Sequence, residues 1–144
     1  MRAVVQRVAW ASVTVGEEEI ARVGRGLLAL VGVHRDDDEG APGRLADRIA
    51  GMRIMADDAG RMNLTVGDVG GEVLAVSNFT LYGDASQRRP SFTRAASGEV
   101  ALARYEAFLG ALRGRGVALQ AGRFGADCVV ALGNDGPVTL VVDV

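Results

Sequence analysis

The sequence predicts an α/β fold: one β-rich domain spanning residues 1–144, with two helices on one side of a curved or doubled mixed sheet. Three observations carry this prediction. A chain of 144 residues suits one domain with a sizeable core. Apolar residues recur at strand spacing in most segments and at helical spacing in only two. The resulting order, β-β-β-α-β-β-α-β-β-β, leaves too few helices to cover both faces of so many strands, against a doubly wound sandwich. An uncovered sheet face or edge is then free for a second copy.

Residues 2–8 and 11–15 alternate well enough for strand, and Gly16-Glu17-Glu18 turns the chain into a second strand near 19–23. LLALVGV (27–33) is an apolar run suited to a strand buried on both faces. Asp36, Asp37 and Asp38 offer helix caps, Pro42 suits a first turn, and Leu45, Ile49 and Met52 mark an apolar helix face. The acidic run therefore reads as a helix start rather than a metal site. Residues 53–63 read as a short strand, a turn and a loop, and EVLAVSNFTL (72–81) as a strong strand. YGDASQRRPSFTRAA follows without periodicity, and an unstructured connection of that length in a compact domain is usually functional. Ser97 opens a second helix with Leu102, Tyr105, Phe108, Leu109 and Leu112 on one face, closed by Gly114 and Gly116. Strands near 117–121, 127–133 and 138–143 complete the chain. Between the last two lies Gly136-Pro137, which interrupts a ladder unless it makes a turn or a bulge.

Composition excludes several classes. Hydrophobic residues at 49% and charged residues at 24% argue against disorder. No apolar run approaches the roughly 20 residues of a membrane span, and Gln6 and Arg7 break the N-terminal run, so a strand is expected there and a cytoplasmic protein overall. One cysteine, Cys128, excludes an internal disulfide and any cysteine-built zinc site; its valine neighbours place it in a strand core. All 16 basic residues are arginine, yet the net charge of −2 excludes a generally electrostatic nucleic-acid binder.

Few residues can carry chemistry. His34, the one histidine, follows a strand without a paired nucleophile and reads as a loop histidine before a catalytic base. There is no P-loop, dinucleotide fingerprint or HExxH. In SNFT (77–80), Ser77 and Thr80 offer hydroxyls, and the N–H groups of Phe79 and Thr80 suit an oxyanion hole; alternatively these groups only satisfy a strand end. Arg88, Arg89 and Arg94, interleaved with Ser91, Phe92 and Thr93, suit a phosphate backbone and a stacked base, or simply a solvated loop.

The opening MRAVVQRV-x-x-ASVTV, the segment SNFTLYGD, the loop RRPSFTRAA and the run GRFGADCVVALGNDGPVTL together resemble the D-aminoacyl-tRNA deacylases, from Met1 nearly to Val144. The resemblance implies a homodimer that hydrolyses the ester joining a D-amino acid, or glycine, to the 3′ end of tRNA; no metal-ligand cluster appears in the sequence, and neither metal nor cofactor is expected. It implies that Gly136-Pro137 has a cis peptide bond and reaches into the partner's active site as a wedge that rejects L side chains, with Asn134 and Phe92 beside the substrate. It places Ser77, Asn78, Phe79 and Thr80 at the reaction and Arg88, Arg89 and Arg94 on the tRNA. Thr80 is either the nucleophile or, with no base in the motif to activate it, a positioning group beside N–H groups that hold the oxyanion while the ribose 2′-OH helps activate water. The sequence departs from the family at Asn78, where glutamine is usual, and at the ASQ before RRPSF, where many relatives have a lysine and a glycine. A shifted substrate choice and a non-catalytic RNA-binding dimer are the competing expectations.

Overall fold

A computed structural model describes all 144 residues. β1 (Arg2–Val15), β2 (Glu18–Val23) and β3 (Gly26–Gly32) form an antiparallel start. α1 (Ala41–Ala50) follows, then the small hairpin β4 (Met55–Ala56) and β5 (Met62–Leu64). β6 (Glu72–Ser77) adds parallel to β3, and α2 (Gly98–Gly114) crosses to β7 (Ala118–Ala121), parallel to β6. β8 (Val129–Asp143) returns antiparallel along β1. The main sheet runs β2-β1-β3-β6-β7, with β8 on the remaining edge of β1.

β1 explains the curvature. One of its edges carries β3 opposite Arg2–Val8 and then β2 opposite Ala11–Val15, while β8 follows the other edge almost throughout. The sheet curls until the Arg22 N–H of β2 donates to Gln120 Oε1 of β7. Two cores result. Leu27, Ala29 and Val31 of β3 and Val73 and Ala75 of β6 face α1 and α2, meeting Leu45, Ile49, Phe108 and Leu112. Leu28, Leu74 and Val76 point the other way, into the curl, against Val8, Val13 and Val23. Period-2 alternation thus serves two apolar faces, so β3 and β6 read as near-continuous hydrophobic runs.

The helices lie on one side of a curved mixed sheet, as the sequence predicts. Several details differ. α1 takes Gly40 as its N-cap, with Pro42 in the first turn, and none of the three aspartates caps it through its side chain. Asp37 accepts the His34 N–H and pairs with the Met1 amino group, while Asp38 accepts Gly40 N–H and pairs with Arg44. Leu102 is exposed, while Tyr105, Phe108, Leu109 and Leu112 of α2 reach the core. Cys128 lies outside any strand and is exposed, so it is not core: β8 starts one residue later. β6 stops at Ser77, and Phe79–Tyr82 form a 3₁₀ turn rather than strand.

The two expected C-terminal strands are one. β8 runs through Gly136-Pro137, whose peptide bond is cis, and its outer face is largely exposed. Gln6 pairs with Thr139 and Val8 with Asn134, so Asp135–Val138 bulge out opposite Arg7 alone. The proline sits where no ladder donor is needed.

Candidate active site

β3 and β6 end side by side, with Val31 opposite Ser77. Beyond that margin the chain must turn, and Asn78 makes the turn. Its backbone is extended (φ −148°, ψ 97°) and its N–H donates to Val31 O at 2.7 Å. Its side chain caps the 3₁₀ turn, Oδ1 accepting Thr80 N–H at 3.0 Å and Thr80 Oγ1–H at 2.6 Å. Asparagine is among the best N-caps because its short side chain reaches the N–H two residues on. Gly83 ends the turn, its N–H on Thr80 O at 2.9 Å. A Cβ there would lie 2.8 Å from Phe92 Cε1, so glycine lets the Phe92 ring approach.

The loop after the turn is more ordered than its composition suggests. Asp84 and Ser91 exchange backbone hydrogen bonds at 2.8 and 3.0 Å, closing a tip that carries Arg88 and Arg89. The Ser86 N–H and hydroxyl, aided by Arg94, hold the Asp84 carboxyl below the usual range. The base of the loop is tied to β3 through Ala96 N–H on Val33 O and Arg35 N–H on Arg94 O, each 3.0 Å. Phe92 then meets Phe79 edge-to-face, centroids 5.2 Å apart, an ordinary aromatic arrangement. Both rings stay exposed, Phe79 at 58% and Phe92 at 39%. Arg88, Arg89 and Arg94 are exposed and make no ion pair, unlike Arg2, Arg7 or Arg115.

These pieces line one cleft of about 750 Å³. Ser77, Asn78, Phe79, Thr80 and Phe92 form one wall, and Phe124–Cys128, Ala101 and Leu30 the rest, mostly apolar. The size fits a nucleoside with a small acyl group. Sequence reasoning missed the Phe124–Asp127 wall. Its signal was Gly125, whose φ of +71° turns the chain there.

His34 is not part of the wall. Its Nδ1 accepts Asp36 N–H at 3.2 Å and its ring meets Tyr82 edge-on at 4.9 Å. Burial, then Asp37 and Asp143, push the Tyr82 hydroxyl up to about 12. Gly136 and Pro137 do not line their own chain's cleft; they project from the β8 bulge. Asn134 spans that bulge, Nδ2 donating to Arg7 O at 3.0 Å and Val138 O at 3.1 Å. Arg7 pairs with Asp135 at 2.9 Å and donates to Ile54 O at 2.7 Å. The bulge is therefore braced from both sides.

The site thus sets Ser77, Phe79 and Thr80 on a mostly apolar cleft, with unpaired arginines on the neighbouring loop. Residues 4–143 match the family model for D-Tyr-tRNA(Tyr) deacylase. A D-aminoacyl-tRNA deacylase from Roseiflexus sp. is 53% identical, covering 99% of this chain and 93% of its own. One from Thermotoga petrophila is 51% identical, covering 99% and 97%. A solved c-Myc DNA Unwinding Element Binding Protein superposes with TM-score 0.93 at 37% identity, covering 100% and 99%. A probable eukaryotic D-amino acid tRNA deacylase shares the fold, with TM-score 0.86 at 17% identity over 99% and 98%. The class so defined is a hydrolase of the D-aminoacyl-tRNA deacylase type. The chain belongs to the D-Tyr-tRNA(Tyr) deacylase family.

Proposed function

We propose that the protein hydrolyses the ester of D-aminoacyl-tRNA, and of glycine mischarged on tRNA, and spares L-aminoacyl-tRNA. The observation that carries this reading is the convergence of the Ser77–Thr80 turn and Phe92 on one cleft. The terminal adenosine and its acyl group occupy that cleft, and Arg88, Arg89 and Arg94 take phosphates of the acceptor arm, having no carboxylate partner to leave. Water attacks the ester carbonyl, the C–O3′ bond breaks, and the water proton ends on the ribose 3′ oxygen. The 2′-OH helps activate the water. Phe79 N–H, which makes none of the loop or cap hydrogen bonds, is the first donor to the oxyanion; Thr80 N–H joins it only by leaving Asn78.

Selection against L substrates is assigned to Gly136-Pro137 of a second copy; both residues are exposed on the β8 bulge and neither lines its own cleft, which supports this reading. A backbone wedge braced by Arg7, Asp135 and Asn134 holds the substrate's α-amino group and leaves no room for an L side chain. Exclusion by clash does not depend on what the D side chain is, and glycine has nothing to exclude. Val141, exposed on the outer face of β8, and Leu140, exposed on the opposite face of the same strand, supply apolar surface for the homodimer this requires. No helix is long and apolar enough to cross a membrane.

The test is deacylation of D-Tyr-tRNA, L-Tyr-tRNA and Gly-tRNA side by side at one salt concentration. Loss of the D and glycyl esters with the L ester spared supports the proposal. No cleavage of either tyrosyl ester above the buffer rate would leave an RNA-binding protein of this fold.

A further inference from the structure

Asn78 opens the 3₁₀ turn at the cleft, and the structure shows what its short side chain does there. Thr80 N–H can only donate, so the Asn78 atom 3.0 Å from it is the amide oxygen. The Thr80 hydroxyl lies 2.6 Å from that same oxygen, and it too must donate, because the oxygen has no proton to give. Both Thr80 protons are thereby committed to one acceptor. What Thr80 shows the cleft is a pair of hydroxyl lone pairs.

We propose that Asn78 is a positioning residue for the deacylation: its Oδ1 closes the turn through both Thr80 donors, fixing Phe79 N–H as the donor aimed into the cleft and Thr80 as an acceptor only. Two consequences follow from the chemistry. An amide oxygen is too weak a base to take the Thr80 proton, so this arrangement does not generate a threonine alkoxide. An oxygen that only accepts suits a donor on the substrate, whether the α-ammonium or a ribose hydroxyl. A glutamine would be one methylene too long for this two-residue closure, which calls for the reach of asparagine or aspartate. The inference rests on the deacylase reading of the cleft.

The test uses the full chain in four forms: unsubstituted, Asn78→Ala, Asn78→Asp and Thr80→Val. Kinetics on D-Tyr-tRNA are read beside hydrogen exchange of the Thr80 amide. Asn78→Ala is expected to speed that exchange about fivefold to tenfold, and to lower kcat about tenfold with KM changed less than about threefold. Asn78→Asp keeps an acceptor of the same reach, and its Thr80 amide stays as slow as in the unsubstituted protein. Thr80→Val keeps the N–H bond but loses the hydroxyl, and with it one of the two bonds that close the turn and the acceptor offered to the substrate, so exchange stays within about threefold of the unsubstituted protein and kcat falls about tenfold, far short of the loss of a nucleophile. The proposal is overturned if Asn78→Ala leaves kcat unchanged, whatever the exchange does, or if Thr80→Val loses about a thousandfold or more, as a nucleophile would. An unsubstituted protein inactive on D-Tyr-tRNA is a separate result: it removes the deacylase reading itself.

Discussion

At the scale of single residues, most of what matters is a donor or acceptor with one destination. Tyr105 is 2% exposed among apolar neighbours, yet its hydroxyl donates to Ala75 O at 3.0 Å in the middle of β6. Burial raises its ionisation well above the usual tyrosine range, so it remains a donor at any ordinary pH. Ala75 O also accepts Gly122 N–H at 2.9 Å, so Tyr105→Phe leaves that carbonyl one donor and should cost about 1 kcal/mol, read from urea unfolding; no change would mean that the Gly122 bond alone satisfies it. Side-chain volume matters more at Phe108 of α2, fully buried among α1 and sheet residues, where Phe108→Ala should cost about 3–5 kcal/mol in the same assay. Both residues were legible in the sequence, because a helical stripe of large apolar residues has few other uses. Cys128 was not: a thiol before two valines reads as core, and only the turn at Gly125 puts it on the surface. Asn78 was legible as a departure, but its capping role depends on where β6 stops, which an unbroken run such as EVLAVSNFTL conceals.

At the scale of elements, the strands whose two faces are both buried were easiest to read, as β3 and β6 show. The C-terminal strand was harder, since Asn134-Asp135-Gly136 has the composition of a hairpin turn. Here those residues serve a bulge, and what decides between the two is distant in sequence: Arg7 on β1, which pairs with Asp135 and whose carbonyl takes Asn134 Nδ2. The bracing predicts a specific failure. Asn134→Ala removes both bonds that span the bulge while leaving Gly136-Pro137 in place. If the bulge acts as the wedge, hydrolysis of L-Tyr-tRNA should rise by about tenfold or more while D-Tyr-tRNA changes less, because a loosened clash admits the wrong enantiomer before it harms the right one. Equal loss on both esters would count against a filtering role. The loop tip bearing Arg88 and Arg89, outside the cleft lining, should affect binding uniformly. Arg89→Ala is expected to reduce the salt slope of tRNA binding by about 1 without changing the D-over-L ratio.

At the scale of the whole molecule, charge and surface set the conditions of use. Asp143 is held low chiefly by its hydrogen bonds to Arg2, Asp47 by Arg115, Asp38 by Arg44 and Glu19 by Arg22. Their folded-state values lie below the unfolded ones, so their stabilisation is complete above about pH 4.5 and is lost as pH falls through the folded values. Urea midpoints should therefore be flat down to about pH 4.5 and drop below about pH 4, each exposed pair contributing little. The outer face of β8 sets a second condition. Val141, 64% exposed, stands on that face, on the strand that carries the Gly136-Pro137 bulge. If that face meets a second copy, assembly and selectivity are coupled, because the same contact delivers the wedge to the other cleft. Val141→Arg changes no core packing, so the monomer should keep its unfolding midpoint. It should nevertheless weaken self-association, read by sedimentation, and activity per mole should fall on dilution over the range in which the protein dissociates. A fully active monomer would show that the cleft needs nothing from a partner, and the source of enantiomer rejection would then have to lie within the cleft's own walls.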